Sequence, residues 1–242
     1  MRTIKKQARI AGAWYLLLFL AGPVALMIVP GKLFVFGNAT ETSARVLAQE
    51  WLLRVGMASE LFGQVAVLFL GLALFRLFRG VSEWLSWQLL ILGALVSVPI
   101  SFVNVVFELV ALVLFKGGGF LSVFAKPQLD ALGYLFIRMH GLGITVVSIF
   151  WGLWLIPAGM LVVRSGFMPR FVGYMMFAGA LGYLAYAIAA ILFPAYASRV
   201  GDVAQILEIG EIPIVFWLAI WGATGPKASQ PEWEPQARVS AA

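Results

Sequence analysis

Six apolar runs, each long enough to cross a bilayer and separated by short polar connections, constrain this chain more than any other feature. A backbone in hydrocarbon finds no water to satisfy its amides and carbonyls, so runs of about twenty apolar residues can only be spanning helices. Composition agrees: 62% of residues are hydrophobic, 12% are charged, and mean hydropathy is +0.96, whereas soluble domains carry roughly 25% charged residues. The fold expected is all-α, a polytopic six-transmembrane-helix bundle. Residues 1–225 form its single transmembrane domain, and 226–242 form a disordered polar cytoplasmic tail.

The spans are expected at about 11–29, 51–78, 86–115, 128–163, 171–193 and 203–221. Gly22-Pro23 should kink the first, and Pro30-Gly31 should end it, because proline brings no amide donor to a helix. No small-residue cleavage pattern follows that run, so it is read as a retained span. Thr40-Glu41-Thr42-Ser43 offers capping chemistry for a short amphipathic surface helix before the second span. The fourth run is too long for one straight crossing of about 30 Å and should begin outside the hydrocarbon.

The net charge of +6 does not point to nucleic acid, because the basic residues sit at helix ends and form no readout motif. With both termini in the cytoplasm, ten of the 17 Lys and Arg fall on the inner side: Arg2, Lys5, Lys6, Arg9, Arg76, Arg79, Arg164, Arg170, Lys227 and Arg238. The location expected is the bacterial inner membrane, with the lipid bilayer as the principal partner.

Charged side chains at membrane depth cost roughly 2.5–3.5 kcal/mol each on insertion scales, so those present need a partner or a purpose. Ser86, Gly93, Ser97, Ser101, Asn104 and Glu108 recur at helical spacing on one face of the third span. Small and hydroxyl residues in such a stripe ordinarily mean close helix packing with interhelical hydrogen bonds, but Asn104 and Glu108 go beyond that need. The second span adds Gly56, Glu60, Gly63 and Gln64, and the fourth adds Arg138, Gly141, Thr145, Ser148 and Gly152. In the sixth, Glu208 and Glu211 flank Gly210 just before Pro213, whose missing amide frees the carbonyl of Ile209.

Counted from the outer end, Glu60, Glu108, Arg138, Glu208 and Glu211 fall roughly 7–15 Å into their expected spans, which points to one cluster in the outer half. Arg138 is the expected counter-ion, since a guanidinium stays charged when buried and binds carboxylates bidentately. His140, the single histidine, lies about 200° from Arg138 around an ideal helix. It reaches the same centre only if Gly141 and Gly143 distort the turn, and its ordinary reading is a hydrogen-bonded packing residue. The candidate ligand-binding set is therefore Glu60, Gln64, Asn104, Glu108, Arg138, His140, Glu208 and Glu211. Trp14, Tyr15, Trp84, Trp87, Trp217 and Trp221 are read as interfacial anchors near span ends.

Several chemistries have no residues to run on. Cysteine is absent, which removes disulfides, thiol catalysis and Cys-ligated metal sites. There is no His-Glu-x-x-His, Gly-x-Ser-x-Gly, P-loop or dinucleotide-binding glycine turn. No lysine lies deep in a span for a retinal Schiff base, and Asp130 and Asp202 fall at span ends, where a paired-aspartate protease could not use them.

Several stretches together carry a family resemblance: Ala8-Arg9-Ile10-Ala11-Gly12 with Tyr15, Glu60-Leu61-Phe62-Gly63, and Leu74-Phe75-Arg76-Leu77-Phe78-Arg79. The more specific ones are Trp154 to Gly159 running into Arg164-Ser165-Gly166-Phe167-Met168-Pro169-Arg170, and Glu208-Ile209-Gly210-Glu211-Ile212-Pro213 through Trp217 and Gly222. From Ala8 to Gly222 the chain resembles the bacterial membrane family labelled domain of unknown function 4386. That resemblance implies a bacterial inner-membrane protein and brings no reaction, cofactor or ligand.

Three functions fit these residues. The first is binding or transport of a proton, a cation or a small cationic or zwitterionic molecule. The second is a structural or regulatory membrane protein whose polar centre fixes helix packing. The third is an intramembrane enzyme with a Glu or His140 as general base on a lipid-like substrate. An enzyme is the least expected of the three, and the identity of any metal or cofactor is open.

Overall fold

The computed structural model describes residues 2–223, so the tail expected at 226–242 lies outside the described residues. Among these residues there are helices and turns and no strand. Six helices are long and apolar enough to cross a membrane: Ile4–Leu33, Glu50–Phe78, Glu83–Lys116, Lys126–Ser165, Arg170–Leu192 and Pro194–Trp221. They are called here the first to sixth spans. A seventh helix, Ala39–Ala48, precedes the second span and buries Thr42, Ser43 and Val46. Its cap is Asn38, earlier than the expected Thr40 to Ser43, with Oδ1 accepting from the Glu41 amide at 2.9 Å.

Each span packs on its neighbours in sequence, and the sixth closes the ring against the first. That closure is tight, because a Cβ at Gly12 would run into the backbone of Ala219. Gly222 likewise approaches the carbonyl of Lys5, which places both described ends on one side of the bundle, here the terminal side. The other side, here the distal side, is tied by Lys116 to Glu50 at 2.8 Å and by Lys126, which pairs with Asp130 and reaches Ser43 Oγ at 2.8 Å.

Two boundaries differ from the sequence expectation. The first span runs through Pro30-Gly31 to Leu33, because the turn after Pro23 widens to a π-helical stretch at Val24–Ile28 and Pro30 then occupies the first turn of a fresh α segment, where its missing amide costs nothing. The sixth span begins at Pro194, nine residues before the expected Val203. A 3₁₀ turn at Pro194–Tyr196 feeds directly into Ala197–Glu208, so polar Arg199 and Asp202 ride on the helix. The fourth span, at 40 residues, rises about 60 Å and does exceed one hydrocarbon thickness.

Two large apolar clusters fill the interior, with a small third one at Leu114, Leu121 and Leu129. The larger, in the terminal half, gathers Tyr15, Leu70, Leu74, Phe78, Trp154, Leu161, Phe167, Met176, Ile214 and Leu218. The smaller, in the distal half, gathers Val29, Leu33, Val46, Leu53, Met57, Leu112, Phe115 and Ile137. Between them lies a layer of buried polar side chains from the second, third and fourth spans.

Candidate functional site

That layer is built one helical turn inward from the distal apolar cluster on three spans at once. Met57 leads to Glu60 on the second span, Leu112 to Glu108 on the third, and Ile137 to His140 on the fourth. Glu60 is 5% exposed, Glu108 3% and His140 5%, so all three ionisable groups are inside the bundle. His140 Nε2 lies 3.0 Å from Glu60 Oε2, and His140 Nδ1 lies 3.9 Å from Glu108 Oε1. The ring thus stands between two carboxylates, one at each nitrogen. One ligand atom from each of the three residues falls within 4.8 Å of the others.

A second tier completes the site one turn further inward. Gln64 follows Glu60, and Asn104 precedes Glu108, each on the same face of its helix. Asn104 donates from Nδ2 to the His140 carbonyl at 3.0 Å and so braces the turn that carries the imidazole. Three buried acceptor oxygens here find no hydrogen-bond partner among the described residues: Glu60 Oε1, Gln64 Oε1 and Asn104 Oδ1. An apolar cleft of about 420 Å³ opens between the third and fourth spans beside Asn104 and Gly143, lined also by Pro99, Val103, Phe107 and Val146.

The serines and threonine of the same layer are satisfied locally. Ser97 bonds the Gly93 carbonyl, Ser101 bonds Ser97 at 3.1 Å, Thr145 bonds Gly141 at 3.2 Å and Ser148 bonds Thr145 at 2.8 Å. These are bonds within a helix, not between helices as the stripe led one to expect, and they leave the hydroxyls with no outward role.

Arg138 does not join the carboxylates. Its side chain is exposed, and its guanidinium lies 5.0 Å from the centre of the Phe36 ring. The cause is angular: the buried face of the fourth span follows Gly133, Ile137, His140, Val147 and Gly152, and Arg138 projects away from it. No distortion of the helix at Gly141 or Gly143 is needed to bring His140 in. Among the described residues no lysine or arginine pairs with Glu60, Glu108, Glu208 or Glu211.

Glu208 and Glu211 belong to a different place. Because the sixth span starts at Pro194, Glu211 is 17 residues, about 25 Å, from its distal end and ten residues, about 15 Å, from Trp221. Glu60 and Glu108 lie about 15 Å and 12 Å from the distal ends of their spans, so the single shared level expected from the sequence splits in two. Glu211 accepts from the hydroxyl of Tyr15 in a short hydrogen bond and from that of Tyr183 at 3.4 Å. Glu208, half-buried, packs its side chain beside Gly182. Tyr15 is 2% exposed in the terminal apolar cluster, so it is no interfacial anchor. The misplacement follows from starting the first span at Ala11 instead of Ile4. Tyr183 carried no sequence signal beyond its position in the middle of the fifth span.

Residues 10–222, nearly the whole chain, match the family described as Domain of unknown function (DUF4386). The chain belongs to this family. The description names no activity or ligand. An uncharacterized protein of Archaeoglobus fulgidus is 35% identical over 74 residues, 31% of this chain and 43% of the archaeal protein. The matched stretch thus spans less than half of that relative's length. No solved structure matches the chain.

Proposed function

We propose that this membrane protein binds a proton or small cation at Glu60, Glu108 and His140 and carries it across the bilayer. The observation behind this reading is an imidazole held between two carboxylates from two other helices, all three buried and, among the described residues, with no lysine or arginine paired to the carboxylates. Buried ionisable groups are costly in a membrane, and a cluster with surplus negative charge is stabilised by whatever positive charge enters it. A centre serving only to fix packing would be expected to use up its own acceptors, whereas here three remain free among the described residues. The layer of Met57, Leu112 and Ile137 on the distal side serves as an apolar gate one turn thick.

The test is charge displacement in proteoliposomes on a supported membrane, after steps in pH and in monovalent and divalent cation concentration. The wild type should give a transient current for at least one ion, and the doubly substituted Glu60→Gln, Glu108→Gln protein should lose it while remaining monodisperse in detergent. A wild type silent to every step would favour a purely structural polar core.

A further inference from the structure

We propose that the ion taken at this centre is a divalent first-row transition metal of the Zn²⁺ class, with Glu108 and His140 as ligands and Glu60 holding the imidazole from its other nitrogen. This assignment rests on the cation reading above and names the ion. Three features carry it. The first is the spacing. Two ligands on one tetrahedral ion at about 2.0–2.1 Å sit about 3.4 Å apart, so the 3.9 Å between His140 Nδ1 and Glu108 Oε1 suits a pair spanning an ion. The 3.0 Å between His140 Nε2 and Glu60 Oε2 is instead a direct hydrogen bond, the kind that fixes a ligating imidazole from its other nitrogen. Glu60 thus orients the ring and lends its negative charge from just outside the ligand pair, its Oε1 unpaired on a residue 5% exposed, and the three groups offer atoms within 4.8 Å of one another.

The second is chemistry. Imidazole suits zinc, copper, iron and nickel, while calcium asks for six to eight oxygens and magnesium keeps most of its water. Two carboxylates neutralise a doubly charged ion, whereas a monovalent ion would leave net negative charge in a medium that disfavours it. The third is the surrounding tier. Gln64 Oε1 and Asn104 Oδ1, on residues 7% and 2% exposed, are unpaired acceptors one turn from Glu60 and Glu108. They are acceptors for water in the positions that the two protein ligands leave open, and Asn104 also holds the His140 turn.

The experiment uses the full-length protein in lipid nanodiscs, equilibrated in turn with Zn²⁺ and Mn²⁺, desalted, and assayed for metal per chain, with X-ray absorption at the zinc edge. One Zn²⁺ per chain is expected, with one nitrogen scatterer and the rest oxygen. Glu108→Gln and His140→Ala should weaken binding at least tenfold, and the milder Gln64→Ala, which keeps every ligand, severalfold. Should the substituted chains fail to fold, the wild-type stoichiometry and absorption spectrum decide alone. No stoichiometric metal in a protein that still moves protons or alkali ions would overturn the metal assignment and leave the cation reading standing. Metal that remains at full affinity in folded His140→Ala and Glu108→Gln proteins, or a spectrum without a nitrogen ligand, would overturn it as well. A protein with neither metal nor charge movement would end both.

Discussion

At Gly143 a hydrogen stands where any other residue would place a carbon directly against Asn104 Oδ1. Gly143→Ala should therefore push Asn104 off the His140 carbonyl and destabilise the protein by about 1–3 kcal/mol, the usual range for overpacking, seen as a lower Tm in detergent. The further consequence is weakened ion binding without loss of any ligand. Tyr15 offers a second test at this scale. Its hydroxyl is the short partner of Glu211, and Tyr15→Phe keeps the ring against Trp154 while leaving one carboxylate oxygen unpaired. A cost of about 1–3 kcal/mol is expected from the stranded acceptor, with no change in charge movement if the two buried centres are independent. The sequence places both Arg138 and His140 among the candidates, with Arg138 as the counter-ion and His140 reaching the centre only through a distorted turn, and the structure reverses those two roles. Nothing local told which of two opposite faces of the fourth span, one carrying Arg138 and the other Ile137 and His140, would meet the second and third spans.

The sixth span shows how an element's shape follows from a few residues. Pro213 brings no amide, and the chain answers by tightening to a 3₁₀ turn at Ile209–Glu211 before it and widening at Trp217–Trp221 after it. Gly210 inside the tight turn faces the carbonyl of Met175, close enough that a Cβ would overlap it. Gly210→Ala should therefore separate the fifth and sixth spans and lower Tm more than Gly141→Ala, whose Cβ meets nothing. Equal effects in a thermal-shift series would show that the contact does not hold the two helices. The motif Glu208 to Pro213 is conspicuous in the sequence, and its meaning changes with the helix start. Moving that start from Val203 to Pro194 carries Glu211 out of the outer cluster and into contact with Tyr15 and Tyr183.

For the whole molecule, six helices of spanning length and the contact of Gly222 with Lys5 put both described ends on one side, which its basic residues are expected to hold in the cytoplasm. The chain has no cysteine, so single cysteines report orientation cleanly. Val123→Cys in the distal loop should react with an impermeant maleimide added to intact cells, and Glu83→Cys at the terminal side should react only after the membrane is opened. The reverse pattern would invert the orientation and place the buried Glu60, Glu108 and His140 in the cytoplasmic half of the bilayer.

The amino-acid sequence alone determined that the chain is a bundle of six apolar helices, because hydrocarbon tolerates no unpaired backbone and the runs have no other way to satisfy theirs. It also marked nearly every polar residue that the interior holds, since each is conspicuous among leucines and valines. Which of them meet was decided by tertiary structure. Partnership between helices depends on rotation about each axis and on where each helix begins: about half a turn around one axis separates Arg138 from His140, and a helix start nine residues earlier separates Glu211 from Glu60.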